Sequence, residues 1–501
     1  MAGRYDISYH VRLSAHPSGI DIEAPNIMWI SSGPGAGKSA VASSLVSDLT
    51  LKKRLGASFF FKRGDATLGD PTACWRTVAY DLAKFHPSLE VGIIDYLRRP
   101  GFRDADILLH FCMIEDVLVR NLHELSEIPP VIVLDALDEC GLDDDDAAQR
   151  RILLDSLSSW SRLPRSIKLI VTSREERVPH SFDDRRVCKK IMLKTGASVD
   201  HETQHDIRIF FETKLVAIRL RFRLDSSWPH KSAIDQLLER AAGLFIWATT
   251  AMAFMEEARY QNRLDLVLAG KLGKKEEIMD GLYRGILDYY FKDAEVAIID
   301  HFKTLFGVII AAKVPLHRDD LKYFLGPIYN QNAPCFNAIL FDLSSVIEQG
   351  DFLSLKHLSF AEFLTDSNRC PDFFIDMGEQ HMKLAHACLG IMESNLRFNI
   401  CELESSYIRN DHVPDLLHRL ACFIPSRLSY SCRFWATHCE MATIENGRDL
   451  LLREIEEFLY LRLLYWLEVM SLVKEVPASS IALLVAARWI QVRNRVLFLI
   501  C

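Results

Sequence analysis

The sequence predicts an α/β core, a parallel sheet flanked by helices, followed by mostly α domains that include a winged helix. Three patterns predict it. In the first third of the chain, short apolar runs alternate with helical patterns, the signature of βαβ units. Those runs are continuously apolar, as in strands covered on both faces. After about residue 190 almost every segment reads as helix.

The predicted strands are 26–31 (NIMWIS), 57–61 (ASFFF), 131–134 (VIVL) and 167–171 (IKLIV). Between them, Lys38–Leu49 places Val41, Leu45 and Leu49 on one helical stripe. Thr72–Lys84 opens behind Pro71, whose fixed φ suits a first turn, and Ala105–Leu122 is a third helix. Downstream, helices are expected at His201–Leu220, Ser232–Ala258, Glu276–Phe291, Ala294–Ala312, His317–Leu325 and Phe336–Gln349. They lead into a short apolar piece, Asp351–Lys356, and that succession is the basis for the winged helix. Long helical stretches such as Gly447–Val473 fill the remainder. No repeat with a period of 20–50 residues points to a solenoid or propeller.

Composition narrows the function classes. The chain has 501 residues, 49% of them hydrophobic and 25% charged, enough apolar material for about three folded domains. Lysine plus arginine number 59 and aspartate plus glutamate 67, a net charge of −8, so nucleic acid is not the expected partner. The first residues lack an apolar core, so no secretory signal is expected there. The apolar stretches around Phe306–Ala312 and Phe458–Val473 are too short or too charged to span a bilayer. Twelve cysteines lie scattered without a C-x-x-C pair. Cys422, Cys432 and Cys439, with His438, are spaced too loosely for a zinc site, and reduced thiols in the cytoplasm are expected instead. The acidic run Asp143–Asp146 reads as a solvated loop.

The chemistry lies in three motifs. Ser31-Ser32-Gly33-Pro34-Gly35-Ala36-Gly37-Lys38-Ser39-Ala40 joins a predicted strand to a predicted helix, the setting of a phosphate-binding P-loop. Glycines let main-chain N–H groups curl around an anion, and the helix N-terminus adds positive partial charge. Lys38 would reach the β- and γ-phosphates, and Ser39 would place its hydroxyl on Mg²⁺. The template puts its first glycine where this chain has Ser32, and Gly33 is expected to supply the turn instead. The second motif, Val131–Glu139, ends an apolar strand in Asp135, 97 positions after Lys38. A carboxylate there sits where ligands bind in parallel sheets and suits hydrated Mg²⁺. Asp138 or Glu139, just beyond, would polarise an attacking water. The third, Thr172-Ser173-Arg174, ends another strand, and Arg174 would either sense the γ-phosphate or form a salt bridge. Arg63 has the same two readings, with Asp65 as the ion-pair partner.

Together these residues resemble the NACHT family of signal-transduction P-loop NTPases, most closely fungal members with a nephrocystin-3-like N-terminal region. The similarity runs through WISSGPGAGKSAVASSL, GASFFFKRGD, PPVIVLDALDEC and IKLIVTSRE, and continues in AAGLFIWATTA, LKHLSFAEFLTD, LRFNICELESSYIRN and LSYSCRFWATH. The resemblance implies a short N-terminal segment (1–25), a nucleotide-binding domain (26–190), a helical lid (191–272), a winged helix (273–366) and a second helical domain (367–501). It implies a cytoplasmic STAND-type switch in which ATP or ADP with Mg²⁺ controls opening and self-oligomerisation, with slow hydrolysis. It also implies that His357, in LKHLSFAEFL, contacts a phosphate. Related switches carry Gly-x-Pro where this chain has Gly243-Leu244-Phe245; there Phe245 would stack on adenine, or base recognition is rearranged. The effector and sensor modules of such proteins are not evident, so the chain is expected to be either a truncated product or a bare switch with separate partners. A non-catalytic scaffold and a motor-type ATPase remain alternatives, and the missing N-K-x-D motif favours adenine over guanine.

Overall fold

The computed structural model describes residues 25–33, 35–62, 68–99, 102, 107–141, 147–175, 178–193, 199, 201–257, 263–269, 275–405, 407–442 and 448–500. Pro34, Arg63, Asp65, the Asp143–Asp146 run and the segment before residue 25 lie outside them. The chain divides into two compact units, Met1–Gly285 and Ile286–Cys501.

The first unit is built on a five-stranded parallel sheet in the order β2-β3-β4-β1-β5. The strands are β1 (Ile27–Ser31), β2 (Leu55–Phe60), β3 (Val131–Asp135), β4 (Lys168–Ser173) and β5 (Cys188–Met192). Helices α1 (Lys38–Leu51), α2 (Pro71–Phe85), α3 (Pro87–Leu97), α4 (Ile107–Arg120) and α5 (Ala147–Ser159) cover it. The strand period of two divides the core. Ile30, Val131, Val133 and Ile170 face α1, where Val41, Ala42, Leu45 and Leu49 meet them. Trp29, Phe59, Ile132, Leu134 and Val171 point the other way, into a cluster with Trp75, Phe111 and Trp160. There Trp75 stacks on Trp160 at 5.9 Å between ring centroids and donates its indole N–H to Ser156 Oγ at 2.8 Å.

The four predicted strands are present. The fifth, β5, is a sheet edge with the sequence CKKIM and an exposed outer face, so it lacks the apolar run of its neighbours. It carries the sheet to Met192, so the boundary expected at 190 falls inside a strand. Helices α6 (His201–Phe222), α7 (Ala233–Ala241), α8 (Phe245–Glu256), α9 (Arg263–Ala269) and α10 (Lys275–Phe291) follow. The single helix expected over Ser232–Ala258 is two. The chain breaks where Ala242 and Gly243 turn left-handed, with φ of 45° and 77°.

The second unit takes up the end of α10 and continues with α11 (Val296–Ala311) and a small antiparallel sheet in the order β6-β8-β7, formed by β6 (Leu316–His317), β7 (Ile347–Gln349) and β8 (Phe352–Leu355). Helices α12 (Leu321–Phe324) and α13 (Pro327–Asp342) lie between β6 and β7, and α14 (Leu358–Leu364) follows β8. The helix expected over Phe336–Gln349 therefore stops at Asp342. Leu343, Val346 and Ile347, all buried, read as one apolar stripe in sequence but enter a strand. Then come α15 (Met377–Asn395), α16 (Leu416–Phe423), α17 (Ser426–Met441), α18 (Arg448–Leu461), α19 (Leu463–Leu472) and α20 (Val476–Ile500). The stretch Gly447–Val473 is two helices, parted at Arg462, whose φ of −126° leaves the helical range. Among the described residues no helix is long and apolar enough to cross a membrane, no group of His, Cys, Asp and Glu could hold a metal, and the cysteines are free.

A buried polar chain ties α15 to α17. The Lys313 N–H donates to Tyr430 Oη at 3.2 Å, Tyr430 Oη lies 2.8 Å from His438 Nε2, and His438 Nδ1 lies 2.8 Å from His381 Nδ1. One proton pattern satisfies the chain: Tyr430 donates to His438 Nε2, and His438 donates from Nδ1 to His381. Both rings are neutral in that pattern. Burial, with the Lys313 charge, lowers His381 to about 4 and His438 well below its ordinary value. Folding thus favours the uncharged rings, while unfolded histidines titrate near 6.5. Stability from this pair is fully present above pH 6.5 and drains as pH falls toward 4, by up to about tenfold in the folded-to-unfolded ratio per pH unit for each ring. Urea midpoints measured between pH 7.5 and 4 should fall along this limb, and His381→Asn should flatten it.

Candidate functional site

The site lies at the C-terminal edge of the parallel sheet, where β1, β3 and β4 end side by side. The strand order places β4 between β1 and β3, so its tip stands between the loop after β1 and the acid that ends β3. In register, Ser31 faces Ser173 and Leu134 faces Val171. Asp135 and Thr172 are therefore the next neighbours across β3 and β4.

The loop 32–37 runs from β1 into α1. Its bends are at Gly35 and Gly37, with φ of 75° and 89°. Neither Ser32 nor Gly33 has positive φ, so serine is tolerated at the first template position: the backbone there demands nothing that only glycine provides. Gly37 is the N-cap of α1, and no side chain caps that terminus. The first turn of α1, from Lys38 through Ser39 and Ala40, carries no acid, so its N-terminal charge favours an anion. Ala36 is buried beneath the loop.

Lys38 Nζ lies across the mouth of the loop, 3.0 Å from the Ser32 carbonyl oxygen, 3.1 Å from that of Gly33 and 3.4 Å from Ser32 Oγ. Its charge acts on Asp135, and the Ser39 side chain is hydrogen-bonded to the same carboxyl group. Asp135 is 2% exposed. Burial raises its carboxyl above the ordinary value, while bonds from Thr172 and Ser39 and the Lys38 charge pull it down; Asp138 nearby pushes it up again. Thr172 Oγ1 donates to Asp135 Oδ1 and accepts the Ala136 N–H at 3.0 Å. A hydroxyl and a carboxylate in contact beside a lysine form a hard-oxygen donor set. Such a set fits Mg²⁺, which takes one or two protein ligands and completes its shell with water and phosphate.

Beyond Asp135 the chain turns through Ala136, in the left-handed region at φ 56°, into a short 3₁₀ turn, Leu137–Glu139. Asp138 is engaged by Arg174 on both oxygens: the Arg174 N–H donates to Oδ1 at 3.0 Å, and Arg174 Nε lies 3.1 Å from Oδ2. The salt-bridge alternative for Arg174 is thus realised, with a partner inside the site. Glu139 stands next in the same turn.

Phe245 opens α8. Its ring lies against Gly37 and meets Phe210 of α6 edge-on at 6.2 Å. The next residue, Ile246, donates its N–H to the Gly35 carbonyl at 3.1 Å. The start of α8 is thus fastened to the loop, a contact that sequence reasoning missed because its main component is main chain. The Phe245 ring, expected at a base, lies beside the loop at Gly37. His357 belongs to the second unit, where it caps α14 by accepting the Ser359 N–H at 3.1 Å.

Residues 20–174 match the family model described as Nephrocystin 3, N-terminal. Across 91% of its length the chain aligns with the vegetative incompatibility protein HET-E-1 of Podospora anserina at 23% identity, and it spans 34% of the length of that curated relative. Two solved structures also match: Drosophila ORC bound to DNA, at 13% identity over 72% of this chain and 93% of that one with a TM-score of 0.24, and the Aeropyrum pernix ORC2 protein in ADPNP–ADP complexes, at 12% over 70% and 88% with a TM-score of 0.30. Likeness at those scores carries nothing further about this chain.

The loop contacts set a stability test. A Cβ added at Gly35 would lie 2.2 Å from Ile246 Cγ2, on a backbone that L residues avoid. Gly35→Ala should cost about 1–3 kcal/mol, lowering the melting midpoint, and hydrogen exchange should quicken at the Ile246 amide.

Proposed function

We propose, from the premise that this chain is a nephrocystin-3-like P-loop protein of the fungal NACHT type, that it works as a nucleotide-operated signalling switch. It binds ATP or ADP with Mg²⁺, hydrolyses ATP slowly, and couples the nucleotide state to opening and self-assembly. The reading rests above all on one observation: the loop after β1 with Lys38 at its mouth and the acid Asp135 that ends β3 stand at one sheet edge, on either side of the tip of β4. The match to an incompatibility protein supports a place in self/non-self or innate-immunity signalling.

The residues divide the work. Main-chain N–H groups of Gly33, Gly35, Ala36 and Gly37, with the first turn of α1 at Lys38, Ser39 and Ala40, cradle the phosphates, and Pro34, which has no N–H to donate, only shapes the chain between them. Lys38 moves from its carbonyl partners to the β- and γ-phosphates. Ser39 and Asp135 hold Mg²⁺, which when bound neutralises phosphate charge during transfer. Glu139 positions and polarises the attacking water. Asp138, whose carboxylate is engaged by Arg174, is the alternative for that role. Arg174 in turn is set to exchange Asp138 for a γ-phosphate. Phe245 secures the lid helix to the loop instead of reading the base. The small sheet with α11 to α14 is read as the winged helix, and His357 as its phosphate contact on closure. The free cysteines fit a reducing, cytoplasmic setting.

Two variants test this. Lys38→Ala should weaken ADP and ATP binding by about tenfold to a hundredfold in calorimetry, the scale of a lost charge-assisted bond; unchanged affinity in the folded variant would remove the switch reading. Glu139→Gln should bind ATP as the parent does but slow single-turnover hydrolysis by about a hundredfold or more. If Asp138→Asn alone has that effect, the two acids exchange roles.

A further inference from the structure

We propose that Thr172 is a positioning residue for Mg²⁺: its hydroxyl clasps Asp135 to the tip of β4 and holds the carboxylate in the orientation that serves the metal. This rests on the nucleotide-switch reading above and adds a residue to it.

Thr172 is fully buried, and its single hydroxyl has two partners. The Ala136 N–H can only donate, so it takes a lone pair of Thr172 Oγ1, at 3.0 Å. The hydroxyl proton is then committed to Asp135 Oδ1. The donor directions are fixed by that logic. The strand period places the group: Val131 and Val133 of β3 and Ile170 of β4 face α1, so Asp135 and Thr172 continue the same face, toward the helix that carries Ser39. One hydroxyl therefore joins the last residue of β3, the left-handed residue after it and the tip of β4.

The clasp meets one requirement of a metal-holding acid: a carboxylate on a strand end has rotational freedom that a fixed bond at one oxygen removes. Valine would match the shape and strand preference of threonine at this position, so the hydroxyl is the part that packing does not explain. Partners of this kind behind a metal ligand typically change metal affinity when removed.

The test uses the full chain and a fluorescent N-methylanthraniloyl ADP, titrated in EDTA and across a Mg²⁺ series. The parent should bind more tightly as Mg²⁺ is added. In Thr172→Val the Mg²⁺ concentration giving half of that gain should rise about tenfold to a hundredfold, with affinity in EDTA unchanged within about twofold. Thr172→Ser keeps the hydroxyl and should restore the parent midpoint. If Thr172→Val does not fold, Thr172→Ala, which leaves a small void instead of a misplaced methyl, should show the same loss. A parent-like Mg²⁺ midpoint in a folded hydroxyl-free variant overturns the clasp alone. So does equal weakening with and without Mg²⁺, which marks a purely structural role. A parent whose ADP affinity ignores Mg²⁺ overturns the switch reading and the clasp together.

Discussion

Satisfying one buried carboxylate is the constraint around which the sheet edge is arranged. Asp135 is nearly excluded from water, and that burial raises its carboxyl above the ordinary value. Three groups from two elements oppose this: the Thr172 hydroxyl from β4, and the Ser39 side chain and Lys38 charge from the first turn of α1. Each depends on the order of the strands. With β4 lying between β1 and β3, the loop, the acid and the third strand tip share one edge. A sheet with β1 and β3 adjacent would give the acid no hydroxyl from a strand between them.

Much of this was legible in the residues. The apolar strands and the glycine-rich loop announce themselves because burial on both faces and left-handed turns leave compositional traces. The acid was found because it terminates such a strand. What escaped reading escaped for physical reasons. β5 is an edge strand with two consecutive exposed lysines, Lys189 and Lys190, and the signal for a buried strand is missing there. The break at Gly243 lies inside an apolar stretch whose periodicity continues across it, so only the backbone reveals two helices. β7 takes up Ile347 from what reads as a helical stripe, since three residues are too few for period two to outweigh period 3.6. The pairing of Arg174 with Asp138 is a matter of side-chain reach across two strand ends, for which spacing along the chain holds no clue.

The two ends of the site differ in how they are secured. On the β3 side, side chains do the holding: Thr172, Ser39 and the Arg174–Asp138 pair. These are contacts that a ligand can compete for, and Arg174 in particular is presented as a cation already matched to an anion. On the loop side the holding is different. Phe245 fills the space next to Gly37, and the peptide of Ile246 meets that of Gly35.

That last contact has an evolutionary consequence. Because the Ile246 N–H and the Gly35 carbonyl both belong to the main chain, the fastening survives almost any change of residue at position 246. Drift in the side chains of α8 can retune how the helix packs without unfastening it from the loop. Proline is the one amino acid that would cut it, by lacking the donor. The residues around it can thus diverge and still keep the start of α8 joined to the loop.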